Sequence, residues 1–219
     1  MTAPGTPAIL DQADYAAVHG SIVALLEAAR RAAARSVNAL MTASYWEIGR
    51  RIVEFEQGGQ ARAEYGDALI QRLAADLTRA FGRGFGARNL AQMRAFYLAW
   101  PADRIVQTLS AQSAASTAIA DALSRKSIDL SLLAQMFPLP WSAYVRLLSV
   151  RNLQARAFYE TEALRGGWSV RQLDRQVSSQ FYERTALSHN KAAMLRQGEA
   201  ALPEDGITPE QAIKDPFVL

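Results

Sequence analysis

The sequence has 219 residues, no cysteine and only two histidines. The lack of cysteine excludes a disulfide framework and a thiolate metal site, and it is typical of proteins from a reducing compartment. His19 and His189 lie far apart, and no cluster of His, Asp and Glu has the spacing of a metal site. We therefore expect a chain that is not an enzyme and has no cofactor of its own.

Long apolar runs are missing as well. No uncharged stretch exceeds sixteen residues, and one of the two of that length, residues 105–120, is rich in Gln, Ser and Thr, so we expect no transmembrane span. The first twenty residues, MTAPGTPAILDQADYAAVHG, lack a basic segment followed by an apolar one, which argues against a secretory signal. The predicted location is the cytoplasm, with no membrane partner.

Lysine is scarce, and arginine supplies nearly all of the positive charge. The three lysines are Lys126, Lys191 and Lys214, and the formal net charge is +3. From Arg79 to Arg184 there are fourteen Lys and Arg against seven Asp and Glu, a local excess of seven positive charges. The planar guanidinium suits phosphates and guanine edges, although GC-rich codon usage also favours arginine. This segmental excess indicates a polyanionic partner.

Apolar residues recur at spacings of three and four, which predicts an all-α, multi-helix fold without strands. Predicted helices span residues 15–55, 67–80, 87–100, 130–137, 142–150, 152–164 and 169–184, with a turn at 57–60. Ser169 is expected to cap the last of these helices, and Gly166 and Gly167 to end the one before it.

Composition divides the predicted helices into two helical subdomains. An Ala- and Ser-rich stretch between them is typical of a linker, with a weak helix as the alternative. The predicted organisation is a flexible tail (1–14), an N-terminal helical subdomain with a helix-turn-helix-like unit (15–109), the linker (110–127), a second helical subdomain (128–197) and a Pro- and acid-rich linker (198–219).

The stretch FGRGFGARN at 81–89 places three glycines between two predicted helices. A dinucleotide-binding loop needs G-x-G-x-x-G after a strand, whereas here the spacing is G-x-G-x-G after a helix. A Walker A loop needs Gly-Lys-Ser/Thr, and this tripeptide is absent. The glycines are better explained as a helix stop and a turn.

This turn would join the two helices of a helix-turn-helix-like unit. The second helix presents side chains of the types that read base edges in the major groove, namely Arg88, Asn89, Gln92 and Arg94. Arg79 and Arg83 flank the turn, where phosphate contacts would position the unit. Because the connection is longer than the usual three or four residues, an ordinary helical hairpin with a solvated basic face is the alternative.

A second basic helix is predicted between Trp168 and Arg184. Arg171 and Arg175 are four residues apart and share a face, which makes them candidate phosphate contacts. Asp174 and Glu183 interrupt the positive charge, so ion pairing is the alternative for these arginines.

Several long segments resemble the YhcG family of bacterial proteins, over roughly residues 37–219. They include YWEIGRRIVEFEQGGQARAEYG, FGRGFGARNLAQMRAFYLAWP, PLPWSAYVRLLSV and PEQAIKDPFVL. In this family a helical N-terminal domain precedes a PD-(D/E)xK nuclease domain. The resemblance implies a DNA-binding or targeting module, with the Mg²⁺-dependent chemistry in a nuclease domain that this chain lacks.

Two functions remain open from the sequence. The first is a non-catalytic DNA-binding domain that delivers a nuclease. The alternative is a protein-interaction module, in which the helices form a homodimer or dock a nuclease, restriction-system or antitoxin partner. The Ala-rich first helix favours close helix packing through Ala28, Ala29, Ala32, Ala33 and Ala34.

Overall fold

The computed structural model describes residues 11–58, 63–102 and 130–200, together with Leu202 and Asp205. Within these ranges there are nine α-helices and no strand, which confirms the all-α prediction for this part of the chain. The helices are α1 (Gln12–Gly58), α2 (Ala63–Phe81), α3 (Ala87–Ala99), α4 (Leu130–Ala134), α5 (Trp141–Leu148), α6 (Leu153–Gly166), α7 (Val170–Ser178), α8 (Phe181–Leu187) and α9 (Lys191–Glu199).

Helix α1 runs unbroken for 47 residues, or about 70 Å at 1.5 Å per residue. No proline interrupts it, and Ala, Arg, Leu and Glu favour the helix. Residues 12–14, predicted as tail, and residues 57–58, predicted as turn, belong to α1. Residues 1–10 of the predicted tail and residues 59–60 of the predicted turn lie outside the described residues.

The C-terminal half of α1 crosses α3 at very short range. A Cβ added to Gly49 would lie 2.0 Å from the carbonyl oxygen of Met93, so only glycine fits at this crossing. Met93 is fully buried there. This contact helps to fix where α3, and the turn before it, sit on the molecule.

Aromatic rings fill the centre of the protein. The Phe96 ring of α3 lies 4.9 Å from Phe137 and 5.3 Å from Trp141, measured between ring centroids. Trp46 of α1 is fully buried and donates its indole N–H to the carbonyl oxygen of Trp100 at 2.7 Å. The buried residues on both sides of 103–129 form one cluster. The division into two subdomains stays a prediction. The predicted linker at 110–127 lies outside the described residues.

The segment 169–184 is two helices, so the prediction of a single one is wrong. Ser169 caps α7 as expected, by accepting a hydrogen bond from the Gln172 amide. Gln180 then adopts a left-handed conformation with φ of 53° and ends the run. The break turns Phe181 into the core, where only 2% of it is exposed, so tertiary packing overrides the local helical pattern.

The preceding helix, α6, ends as the glycines predict. Gly167 is its C-cap, with φ of 60°. At the other end, the Asn152 side chain accepts hydrogen bonds from the amides of Gln154 and Ala155. None of the helices in the described ranges is long and apolar enough to cross a membrane.

Candidate nucleic-acid interface

Glycines build the turn between α2 and α3. Gly82 (φ 83°) and Gly84 (φ 103°) both lie in the left-handed region that residues with a Cβ avoid. The Gly82 amide donates to the Thr78 carbonyl at 2.9 Å and so closes α2. Gly86 is the N-cap of α3, and its carbonyl accepts from the Leu90 amide at 3.0 Å. The FGRGFGARN stretch is thus a helix stop and restart, and a helix rather than a strand precedes it.

Helix α3 is held from several sides. It packs against α1, α2 and α5. Leu90, Met93 and Phe96 are fully buried along it. The side of α3 that stays exposed carries Arg88, Ala91 and Leu98, and of these Arg88 lies next to the turn.

Asn89 does not lie on that side, which corrects its predicted role in reading bases. The residue is only 6% exposed. Its Nδ2 donates to the Gly84 carbonyl, and its Oδ1 accepts from the indole N–H of Trp141 at 2.9 Å. Both ends of the amide are therefore used to tie the turn to the start of α5. Asn89 is a positioning residue for the turn.

The arginines next to Asn89 have the opposite environment. Arg83 and Arg88 are exposed, and neither makes an ion pair with any residue in the described ranges. Arg79 is exposed at the end of α2 and pairs with Asp76 at 3.2 Å, but both side chains are largely solvated, so this pair is weak. Gln92, one turn after Arg88, is half-buried.

Arg94 is predicted to contact a DNA base, but in the structure its partner is Glu56. Its Nε lies 2.7 Å from Oε2 and 3.0 Å from Oε1 of Glu56 on α1. Only 17% of the Glu56 side chain is exposed. A partly buried pair of this kind ties α3 to α1 and neutralises the arginine, so the prediction that Arg94 faces the groove is not supported.

Arg175 on α7 is also neutralised. Its two Nη atoms each lie 2.8 Å from an oxygen of Asp205, in a bidentate pair. The Asp205 side chain is 3% exposed and also accepts from the Leu202 amide at 2.7 Å. The hydrogen bonds from Arg175 hold the pKa of Asp205 below its ordinary value, so the pair stays ionised. Arg175 therefore anchors Asp205, and this ion pair does not support its prediction as a phosphate contact.

Arg171 precedes Arg175 by one turn and is exposed. Its predicted phosphate contact stays a prediction. Arg72, by contrast, is not among the contacts predicted from the sequence. It is exposed on α2, seven residues before Arg79, and makes no ion pair with a described residue. Residues seven apart lie on one helix face, so this spacing was the signal that would have identified it.

A cluster of charges on α1 does not show the raised carboxyl pKa that a catalytic general acid needs. Glu47 is 8% exposed and accepts hydrogen bonds from Arg50 and Arg51 at 2.7 and 2.8 Å. Burial raises the pKa of Glu47, but the hydrogen bonds and charges of the two arginines outweigh it and lower the pKa overall. Glu47 is thus an ionised structural carboxylate and no candidate general acid.

No metal centre is found in the part of the chain that the structure describes. Groups of three or more His, Cys, Asp or Glu side chains that could hold an ion are absent from those ranges.

Comparison with known proteins places these residues in context. A family model described as the DUF1016 N-terminal domain matches residues 21–184, well over half of the chain. A curated relative from Escherichia coli (strain K12), "Putative nuclease YhcG", is 57% identical over 211 residues. This match covers 94% of the chain but 56% of the relative, so the chain spans little more than half of that protein's length. No solved structure matches the chain. The resemblance to the YhcG family is thereby confirmed.

Proposed function

We propose that this chain, which belongs to the family of DUF1016 N-terminal domains, is a non-catalytic DNA-binding domain that delivers a YhcG-like nuclease to its substrate. The name of the E. coli relative supports the association with a nuclease. The DNA-binding part of the proposal is supported by the residues around the 82–86 turn.

The observation that carries the proposal is the pair of exposed arginines on either side of Gly86. Arg83 and Arg88 have no acidic partner in the described ranges, although this protein pairs many of its other arginines. Their backbones are rigid, because Asn89 fixes the turn against Trp141. Positive charges on a preorganised turn suit a polyanion better than charges on a flexible loop.

The exposed side chains divide by the part of DNA that they suit. Arg72, Arg79 and Arg83 lie on α2 and the turn, and we assign them to backbone phosphates. Arg88 and Gln92 share one side of α3, and we assign them to base edges, where arginine suits guanine and glutamine suits adenine. Asn89, Arg94 and Arg175 are left out, because other side chains of the protein already hold them.

Binding of the chain to duplex DNA across a salt series tests this proposal. If Arg72, Arg79 and Arg83 neutralise about three phosphates, log K falls with log salt with a slope of about −2.7. Arg88→Ala should cost about 1–3 kcal/mol on a preferred site if the arginine reads a guanine. Arg196→Ala on α9 removes the same charge away from the turn and serves as the matched control. Absence of binding at low salt, or a flat salt response, would exclude the proposal.

Nuclease activity is expected to require residues outside this chain. Under the proposal, the chain alone does not nick DNA when Mg²⁺ or Mn²⁺ is added, whereas it still binds. Metal-dependent cleavage that survives purification to homogeneity would instead make it an enzyme.

A protein-interaction module is the second candidate, and a specific observation favours it. The N-terminal half of α1 exposes large apolar residues, among them Tyr15 (62%) and Leu25 (68%). A nuclease, restriction-system or antitoxin partner, or a second copy, could cover this surface. Association without DNA affinity would favour this function over the first.

A further inference from the structure

Helix α1 consists of two halves in different environments. From Gln12 to Ala33 every residue is exposed, and burial begins at Ala34. The exposed half spans 22 residues, about 33 Å, and thus projects beyond the core. A soluble chain rarely leaves such a length of apolar helix uncovered unless a partner covers it.

Most of the large exposed apolar residues in this half lie in one seam, with Val23 and Leu26 beside it. Tyr15, Val18, Ile22 and Leu25 follow one another at intervals of three, four and three, and Ala29 and Ala32 continue the pattern. An average spacing of 3.5 is the repeat of two helices packed side by side. The seam therefore fits another helix better than a flat surface.

The two ends of the seam differ in size. Large side chains occupy its N-terminal part, and alanines occupy its C-terminal part. In a reversed copy centred between Ile22 and Leu25, Tyr15 would meet Ala32 of the second copy, and Val18 would meet Ala29. Large residues then face small ones in the outer layers, and Ile22 meets Leu25 at the centre, which suits close packing. A parallel pair would set Tyr15 against Tyr15 and leave the alanine layers loosely filled.

The charges on the two ends are complementary as well. Asp11 and Asp14 lie near the start of α1, whereas Arg30, Arg31 and Arg35 lie at the far end of the exposed half, with Glu27 paired to Arg31 at 3.6 Å. Reversing one helix brings the acidic end of each copy to the basic end of the other. In the register that joins Ile22 to Leu25, Asp14 flanks Arg35 of the second copy.

We propose that the exposed half of α1 is a dimerisation helix, which pairs with the same segment of a second copy of this chain in antiparallel orientation. The surface lies apart from the 82–86 turn and involves none of its arginines. The dimer therefore forms without DNA, and its test is independent of the DNA-binding proposal.

Sedimentation equilibrium of the chain without DNA measures the association directly. The wild type should be a dimer, and Ile22→Asp together with Leu25→Asp should make it monomeric. Both side chains are exposed, so circular dichroism and the melting of the core should stay close to wild type. Arg72→Asp, on the surface of α2, is a control for added negative charge and should leave the dimer intact.

A charge exchange tests the antiparallel register. Asp14→Arg and Arg35→Asp should each weaken dimerisation by about tenfold, because two symmetric flanking pairs turn from attractive to repulsive. The double variant should recover the wild-type dissociation constant. Residues 14 and 35 lie about 31 Å apart along one helix, so recovery cannot arise within one copy.

Three results would overturn the proposal. The first is a wild-type chain that stays monomeric up to its solubility limit. The second is a dimer that survives the Ile22→Asp, Leu25→Asp change, since another surface then holds it. The third is a double charge-exchange variant whose dissociation constant does not return to the wild-type value. In that case either a parallel pair or a different partner covers the seam.

Discussion

The 82–86 turn and helix α7 both present arginines, but they differ in what neutralises them. Around the turn, Arg83 and Arg88 face solvent without an acidic partner in the described ranges. On α7, Arg175 is clamped by both oxygens of Asp205. Arginines thus form a candidate ligand surface at the 82–86 turn, whereas on α7 Arg175 makes a tertiary contact.

The difference arises from where the acids lie in the chain. Asp205 comes 30 residues after Arg175, beyond two further helices, and folds back onto α7. Near the turn, the described acid in contact is Asp76, which pairs with Arg79 while both stay solvated. Whether an arginine is free to meet a phosphate therefore depends on long-range contacts more than on its neighbours in sequence.

The largest expected effect on stability comes from removing the side chain of Asn89, which ties the 82–86 turn to α5. Asn89→Ala leaves the buried indole N–H of Trp141 without an acceptor and removes the bond to the Gly84 carbonyl. We expect a loss of about 2–3 kcal/mol in the free energy of unfolding, measured by urea denaturation.

The neighbouring residue supplies the matched control. Arg88→Ala removes an exposed side chain, so its free energy of unfolding should stay within about 0.5 kcal/mol of wild type while DNA affinity falls. Equal stability losses for Arg88→Ala and Asn89→Ala would contradict the division of roles between the two residues.

The sequence predicts the helices better than the side-chain partners. The bounds of α3 and the Ser169 cap follow from local signals, and the structure confirms both. The burial of Asn89 does not, because its partner Trp141 lies 52 residues away. The break at Gln180 likewise depends on the core that receives Phe181. Periodicity indicates which face of a helix is apolar, but it does not identify what the polar face meets.

A smaller effect is expected from the glycine that ends α2. Gly82 has φ of 83° and no atoms near its missing Cβ, so Gly82→Ala costs backbone strain alone. We expect about 1–2 kcal/mol in the free energy of unfolding. Gly86→Ala is the control, since Gly86 has φ of −61° and also has open space around it. If both variants lose the same stability, strain at Gly82 is not what shapes the turn.

The arginines of the two regions can be compared in one binding experiment. Arg83→Ala should reduce the salt slope of DNA binding by about 0.9, the value for one phosphate contact. Arg175→Ala should leave that slope unchanged and lower thermal stability, because it strands the carboxylate of Asp205. A slope that falls equally in both variants would mean that α7 also touches DNA, and would restore Arg175 to the candidate interface.

The smallest expected effect is a dependence on pH confined to the α7 anchor. Hydrogen bonds from Arg175 lower the pKa of Asp205 from its ordinary value of 3.8. A carboxylate whose folded pKa is depressed stabilises the fold above its unfolded pKa, and this contribution is lost as the pH falls through the folded pKa. The coupling between Arg175→Ala and Asp205→Asn, taken from a double-mutant cycle, should thus be present at neutral pH and fade below about pH 4.

Acid titration of Glu47 is common to all four proteins of the cycle and cancels. A coupling that persists unchanged into strong acid would show that the two residues interact through packing rather than through charge, and the contrast between the clamped and the solvated arginines would then not be electrostatic.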